Sequence, residues 1–217
     1  MTSGKKDLKT NLDFSEKLQK TGLILLALSF LGFVFVYFPV ISKEVGFFFF
    51  KPDATKEVSV TYQGEEKKVI VAADKDFSLV IPKIGANSKV IKDVDPTNPQ
   101  EYQVKLALGV AHAKNTALPG EFGNSFYFAH SSDNFYNANR YNSVFYLLPK
   151  LEVGDRFYLV FNKTIYTYEV FEKKIVGAQD LQYMESDLSK KTATLMTCWP
   201  AGTTFKRYVV TGELVGE

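Results

Sequence analysis

Apolar and polar positions divide the chain into two unlike parts. From Thr21 to Ser42 no residue is charged, and Lys20 and Lys43 bracket the run. A helix rises ~1.5 Å per residue, so about 20 apolar residues cross a hydrocarbon core ~30 Å thick. A cleaved signal peptide has a shorter apolar region, ~7–15 residues, ended by a small-x-small site. No clear site of that kind follows Ile41. The pattern predicts one uncleaved N-terminal transmembrane helix over 21–42. Lys5, Lys6, Lys9, Lys17 and Lys20 precede it, and Lys43, Lys51 and Lys56 are the first positive charges after it. This bias leaves residues 1–20 in the cytoplasm and the bulk of the chain outside, as a single-pass cell-membrane protein. The run Phe47–Phe50 reads either as plain apolar packing or as an aromatic anchor at the membrane interface.

Past the anchor, residues 43–75 are mixed and charged and read as a spacer or lead-in. Val58–Tyr62 and Val69–Ala73 are its candidate strands. From 76 to 217 the pattern is that of one domain. Phe77–Ile81 reads as a strand stopped by Pro82. Val104, Ala107 and Leu108, at helical spacing, predict a short helix over 101–108. Pro119–Asn124 is rich in turn residues, and Ser125–Ala129 is an apolar strand leading into His130. Phe145, Leu148 and Leu151 suit a helical turn before Gly154 and Asp155. Two alternating runs, Phe157–Phe161 and Tyr166–Val170, flank Asn162-Lys163-Thr164 and predict a hairpin. Thr192–Thr197 and Tyr208–Leu214 are further strands. Many short strands and few short helices indicate a mostly β fold, a closed or nearly closed antiparallel sheet.

Composition removes whole classes of function. The chain has 217 residues, 46% of them hydrophobic and 15% aromatic, too rich in apolar groups for disorder. Its net charge of +2 does not suggest nucleic-acid binding. With 1 Cys, an internal disulfide and a multi-Cys zinc site are excluded. No Gly-rich phosphate loop and no His-Glu-x-x-His motif is present. No acidic cluster suggests a calcium site, so no metal and no cofactor is expected.

The remaining chemistry lies at strand ends. Cys198 closes the apolar run Thr194-Leu195-Met196-Thr197. A lone Cys is commonly an inert packing residue, but an unpaired thiol in an exported domain is a candidate nucleophile. Thiolate is the reactive form, so a cationic or basic neighbour is needed. His130, at the end of its own apolar strand and followed by polar Ser131–Asn134, suits general acid/base work. The other histidine, His112, competes for that role but follows the short helix rather than ending a strand. Arg207 begins the last strand. If Cys198 ends one strand and Arg207 starts its antiparallel partner, both lie at one edge, where a guanidinium can donate to an oxyanion. Otherwise Arg207 is an ordinary solvated surface residue.

Thr194-Leu-Met-Thr-Cys198 with Arg207 following resembles the T-L-x-T-C…R signature of sortases, membrane-anchored cysteine transpeptidases of bacterial surfaces. Gly109–His112, Thr116–Glu121, Gly123-Asn124 and the strand ending at His130 are similar to that family's approach to its catalytic His. The likeness covers Phe77 to Leu214. It implies a sortase-like closed eight-stranded β-barrel with short helices. It implies Cys198 as nucleophile, His130 as acid/base, Arg207 as the group positioning substrate and oxyanion, and Thr197 as a supporting, substrate-side residue. The implied partners are proteins carrying an LPxTG-like C-terminal sorting signal and an amine acceptor such as a peptidoglycan precursor or a pilin lysine. The implied step passes through a thioacyl enzyme. Ala129 stands where the family usually has Gly before the His. Cys-x-Pro at 198–200 with a short tail resembles the class D/E subgroup. Residues 176–191 are expected to form a lid or pocket wall. A peptidase using water as acceptor, and an anchored β module that binds without catalysis, are the other readings of the same residues.

Overall fold

A computed structural model of the chain describes residues 3–49, 58–62, 65–69, 71–131, 143–180 and 182–217. The polar residues 132–134 that follow His130, Phe50, and parts of the 43–75 spacer lie outside the described residues. Helix α1 spans Ser3–Phe49, 47 residues. Within it Lys17–Phe35 is long and apolar enough to cross a membrane, with mean hydropathy 1.8 and none of it buried. Phe48 and Phe49 near its end are exposed.

Strands β1 (Val58–Tyr62) and β2 (Glu65–Val69) pair antiparallel, from Val58 opposite Val69 to Tyr62 opposite Glu65. The second strand thus precedes the expected Val69–Ala73. Pairing begins at once after β1 and consumes the charged residues, so the apolar run does not set the register.

The rest forms one closed barrel. Its strands are β3 (Phe77–Ile81), β4 (Ala86–Val94), β5 (Val110–Ala113), β6 (Gly123–Phe128), β7 (Arg156–Phe161), β8 (Thr164–Gly177), β9 (Lys191–Trp199) and β10 (Lys206–Gly216). Around the barrel the order is β10-β8-β7-β3-β4-β5-β6-β9. The antiparallel sheet expected from sequence is corrected at two places: β4 pairs parallel with β5, and β6 parallel with β9. Parallel neighbours need a crossover rather than a tight turn. Helix α2 (Pro99–Leu106) supplies the first crossover, and the chain through β7 and β8 supplies the second.

Helix α2 starts earlier than its apolar spacing predicts because Asn98 caps it. The Asn98 side chain accepts from the Glu101 N–H, and Pro99 takes the first turn, where its missing N–H costs nothing. The shift changes which face is buried. Leu106 turns inward, whereas Val104 and Leu108 are exposed. The β7–β8 hairpin turns on Asn162 and Lys163 alone, both left-handed at φ 48° and 68°, the geometry of a two-residue turn that matches strand twist. Thr164 already belongs to β8.

Side chains alternate between two apolar clusters. The barrel interior holds Leu79, Ile81, Tyr127, Phe157, Leu159, Leu195 and Val210. Phe145, Leu148 and Leu151, all 0% exposed, plug it from the segment before β7. Burying each such side chain stabilises by ~1.5–3 kcal/mol. The second cluster lies on the outer face and includes Phe126, Phe128, Val209, Leu106 and Tyr183. Near the interior cluster, β10 bulges after Thr211. A Cβ at Gly212 would stand 2.6 Å from Cε1 of Phe157, whose ring stacks on Tyr168. Gly212→Ala therefore overpacks the core and is expected to destabilise by ~1–3 kcal/mol. Thermal unfolding of the detergent-solubilised chain should show a Tm lower by roughly 2–4 °C per kcal/mol; an unchanged Tm would contradict this packing.

Candidate active site

The site is assembled by register. Along the parallel pair β6–β9, Phe126 lies opposite Thr194 and Phe128 opposite Met196. The pairing continues one step beyond β6, where the Ala129 N–H donates to the Met196 carbonyl at 3.2 Å. The Thr197 hydroxyl returns the tie, donating to the Ala129 carbonyl at 2.9 Å. His130 follows, two residues past the end of β6. On the other flank of β9, Arg207 is the direct antiparallel partner of Cys198. Successive side chains alternate faces. Phe126 and Phe128 therefore point outward with Thr194, Met196 and Cys198, and with Arg207 and Val209, and His130 borders the same groove. Sequence reasoning placed Cys198 and Arg207 at one sheet edge, and the structure adds His130 to the same groove.

Phe126, Phe128, His130, Met196, Cys198 and Arg207 line an outer groove of about 430 Å³. Strands β6, β9 and β10 form its floor. Pro96, Tyr102, Gln103 and Leu106, before and in α2, form one wall. Ala178, Tyr183 and Met184, in the β8–β9 connection, form the other. Gly202, Thr203 and Thr204, from the β9–β10 connection, close one end. Cys198, His130 and Arg207 are each half-buried. The Arg207 Nη1 donates to the Thr204 carbonyl at 3.0 Å and the Lys206 carbonyl at 3.1 Å. Those bonds fix the guanidinium through one nitrogen of a five-donor fork. Thr197 borders the groove but is 1% exposed, with its hydroxyl proton engaged on Ala129.

Tyr183 is a groove residue that the sequence did not single out. It stacks on Phe126 with ring centroids 5.7 Å apart. Burial pushes its phenol above the ordinary tyrosine range; Arg207 pulls it back, while Asp180 and Cys198 push it up. The phenol therefore shares the field of the groove's thiol and guanidinium. Its only advance signal was its place in the expected wall, 176–191.

His112 is elsewhere. It is 0% exposed, between Phe77 and Tyr127 at ring distances of 5.8 and 5.5 Å. Its Nε2 lies 3.0 Å from the Ala117 carbonyl and 3.1 Å from the Thr116 hydroxyl. Among the described residues its Nδ1 has no hydrogen-bond partner. Among the described residues, no group of three or more His, Cys, Asp or Glu side chains is placed to hold a metal ion.

With this geometry established, comparison with known proteins is informative. The sortase domain family model matches residues 79–215, more than half of the chain. The chain belongs to the sortase family. It is 29% identical over 140 residues to sortase D of Bacillus subtilis (strain 168), covering 63% of this chain and 62% of that protein. It is 30% identical over 136 residues to sortase A of Bacillus anthracis, covering 63% of this chain and 58% of the relative. The match thus spans under two thirds of either relative. Among solved structures, a Clostridium perfringens sortase D5 transpeptidase superposes with TM-score 0.54 and 26% identity, covering 81% of this chain and 94% of that one. Sortase C-1 from Actinomyces oris gives TM-score 0.56 and 26% identity over 67% of this chain and 76% of that one.

The burial of His112 has a measurable consequence. Desolvation holds its pKa below the ordinary 6.5, against smaller upward effects of the Ala117 carbonyl and Asp93. Below about pH 6.5 the unfolded chain binds a proton there that the sortase fold resists. Stability is therefore full above that pH and falls as pH drops, by at most ~1.4 kcal/mol per unit. The unfolding midpoint should decline between pH 6.5 and 5. His112→Gln should flatten that decline, and an equal slope in the variant would exclude His112 as its source.

Proposed function

We propose that the chain is a membrane-anchored cysteine transpeptidase that cleaves an LPxTG-like sorting signal and joins the released carbonyl to an amine. The observation that supports this reading is the meeting of three side chains: Arg207 is the cross-strand partner of Cys198, and His130 lines the same groove. In the proposed reaction the Cys198 thiolate attacks the carbonyl carbon of the signal's Thr. Arg207 donates to the resulting oxyanion. The C–N bond to Gly breaks, and His130 gives its proton to the departing amine, leaving a thioester on Sγ. An incoming amine then attacks that thioester. His130 takes a proton from it, a new amide forms and the thiolate leaves. Thr197 acts through position, by holding the backbone that presents His130. The groove walls accept the peptide on the Leu-Pro side.

Helix α1 serves in this reading as a single-pass anchor with its N-terminus in the cytoplasm and the barrel outside. The partners are surface proteins with C-terminal sorting signals and an amine on a cell-wall precursor or a pilin. The likeness to a sortase D supports the class D/E side of the family.

The full chain in detergent micelles should be incubated with internally quenched LPxTG-like peptides, with and without triglycine or hydroxylamine. Intact mass spectrometry should show an acyl adduct in the native chain and none in Cys198→Ala. The amine should convert the adduct to a new amide. Release by water alone would replace this reading with a peptidase, and no adduct with any peptide would overturn it. Arg207→Lys, which keeps the charge but loses the planar fork, should lower kcat/KM by roughly 10²–10³.

A further inference from the structure

Among the groove's boundaries, the β8–β9 connection carries Tyr183 and Met184 yet belongs to no barrel strand. The Gly123 N–H ties its far end to β6, donating to the Lys190 carbonyl at 2.6 Å, and the ties nearer Tyr183 run through Asn124. Asn124 in β6 is 4% exposed and hydrogen-bonded through both ends of its side-chain amide. Its Nδ2 donates to the Tyr183 carbonyl at 3.1 Å. Its Oδ1 accepts from the Thr194 hydroxyl at 2.9 Å and from Thr192 at 3.3 Å. Its backbone N–H donates to the Ser186 hydroxyl at 2.8 Å. One amide therefore bonds forward to the wall through side chain and backbone, and sideways to β9, the strand of Cys198.

We propose that Asn124 is a positioning residue that fastens the β8–β9 wall and sets the width of the groove before substrate arrives. This rests on the reading of the groove as a peptide site. A buried amide that loses one partner leaves a donor or acceptor unmet, which costs more than the bond itself. Here the least costly relief is withdrawal of the wall, since β6 and β9 are held by the sheet. Tyr183 would then leave Phe126, and the groove would widen at the height of Cys198. A loosened wall weakens peptide binding while leaving the thiol, imidazole and guanidinium in register, so the effect falls on KM rather than kcat.

Asn124→Asp keeps size and the acceptor toward Thr194 but removes the donor to Tyr183. Ser186→Ala removes the exposed hydroxyl that receives the Asn124 N–H, and Ser186→Thr retains it. The full chain in nanodiscs should be followed by hydrogen–deuterium exchange without peptide, and by turnover of the best LPxTG-like peptide of the panel above. Exchange over 182–190 should rise severalfold in Asn124→Asp and Ser186→Ala, with the barrel strands unchanged and Ser186→Thr like the native chain. KM should rise roughly three- to tenfold with kcat within about twofold, the scale of one lost hydrogen bond. Unchanged exchange in both variants would overturn the fastening. Faster exchange with unchanged KM, or a fall in kcat alone, would overturn the link to binding. If the native chain turns over no peptide, the transpeptidase reading fails while exchange still decides whether Asn124 holds the wall. Should Asn124→Asp fail to fold, Ser186→Ala, at an exposed side chain, carries the same decision.

Discussion

The parallel pairing of β6 with β9 is the constraint on which the site depends. A hairpin partner would bring the far end of β6 to Cys198, and His130 would lie at the opposite rim. Running parallel, β6 delivers its last residues to the same rim as β9, while β10 turns back from that rim at Arg207. Strand alternation then decides which face the groups share. A slip of one residue between β6 and β9 would send His130 to the barrel interior. The buried Thr197–Ala129 hydrogen bond opposes such a slip, one residue before both Cys198 and His130.

The outer apolar cluster complements that register. Phe126, Phe128, Val209 and Leu106 lie beneath and beside the groove, so charges at its rim act in a less polarisable medium than water. A guanidinium held through one nitrogen and facing such a floor offers donors whose orientation need not change as negative charge develops. The interior plug of Phe145, Leu148 and Leu151 contributes from behind. The Phe145 N–H donates to the His130 carbonyl at 3.4 Å, so the return of the chain from the histidine is tied to the core.

Much of this was legible from residues, and what was not has identifiable causes. β3, β6, β7 and β9 are apolar runs and announce themselves. β4 does not: its buried residues Ala86, Val90 and Val94 recur every fourth position in a polar strand, a spacing that reads as helix or loop. Strand direction is invisible to periodicity, which is why the parallel pairs came as a correction. Helix α2 was found but rotated, because its Asn98 cap outweighs the exposed Val104 and Leu108. Cys198, His130 and Arg207 were legible as residue types at strand ends. Tyr183 and Asn124 were not, since their significance is a stacking and a set of hydrogen bonds between segments far apart in sequence.

The hydrogen bond between Thr197 and Ala129 joins positions separated by 68 residues. Contacts of that span are late events in folding, because a long loop must close before any of them contributes. Cys198 and Arg207 are brought together by a local turn, but the imidazole joins them only when the barrel is sealed. A chain caught part-way carries Cys198 on an unfinished sheet, without His130 in the groove beside it. The three side chains of the groove are in this sense a report on closure: two meet across a local turn, and the third joins them only in the completed barrel.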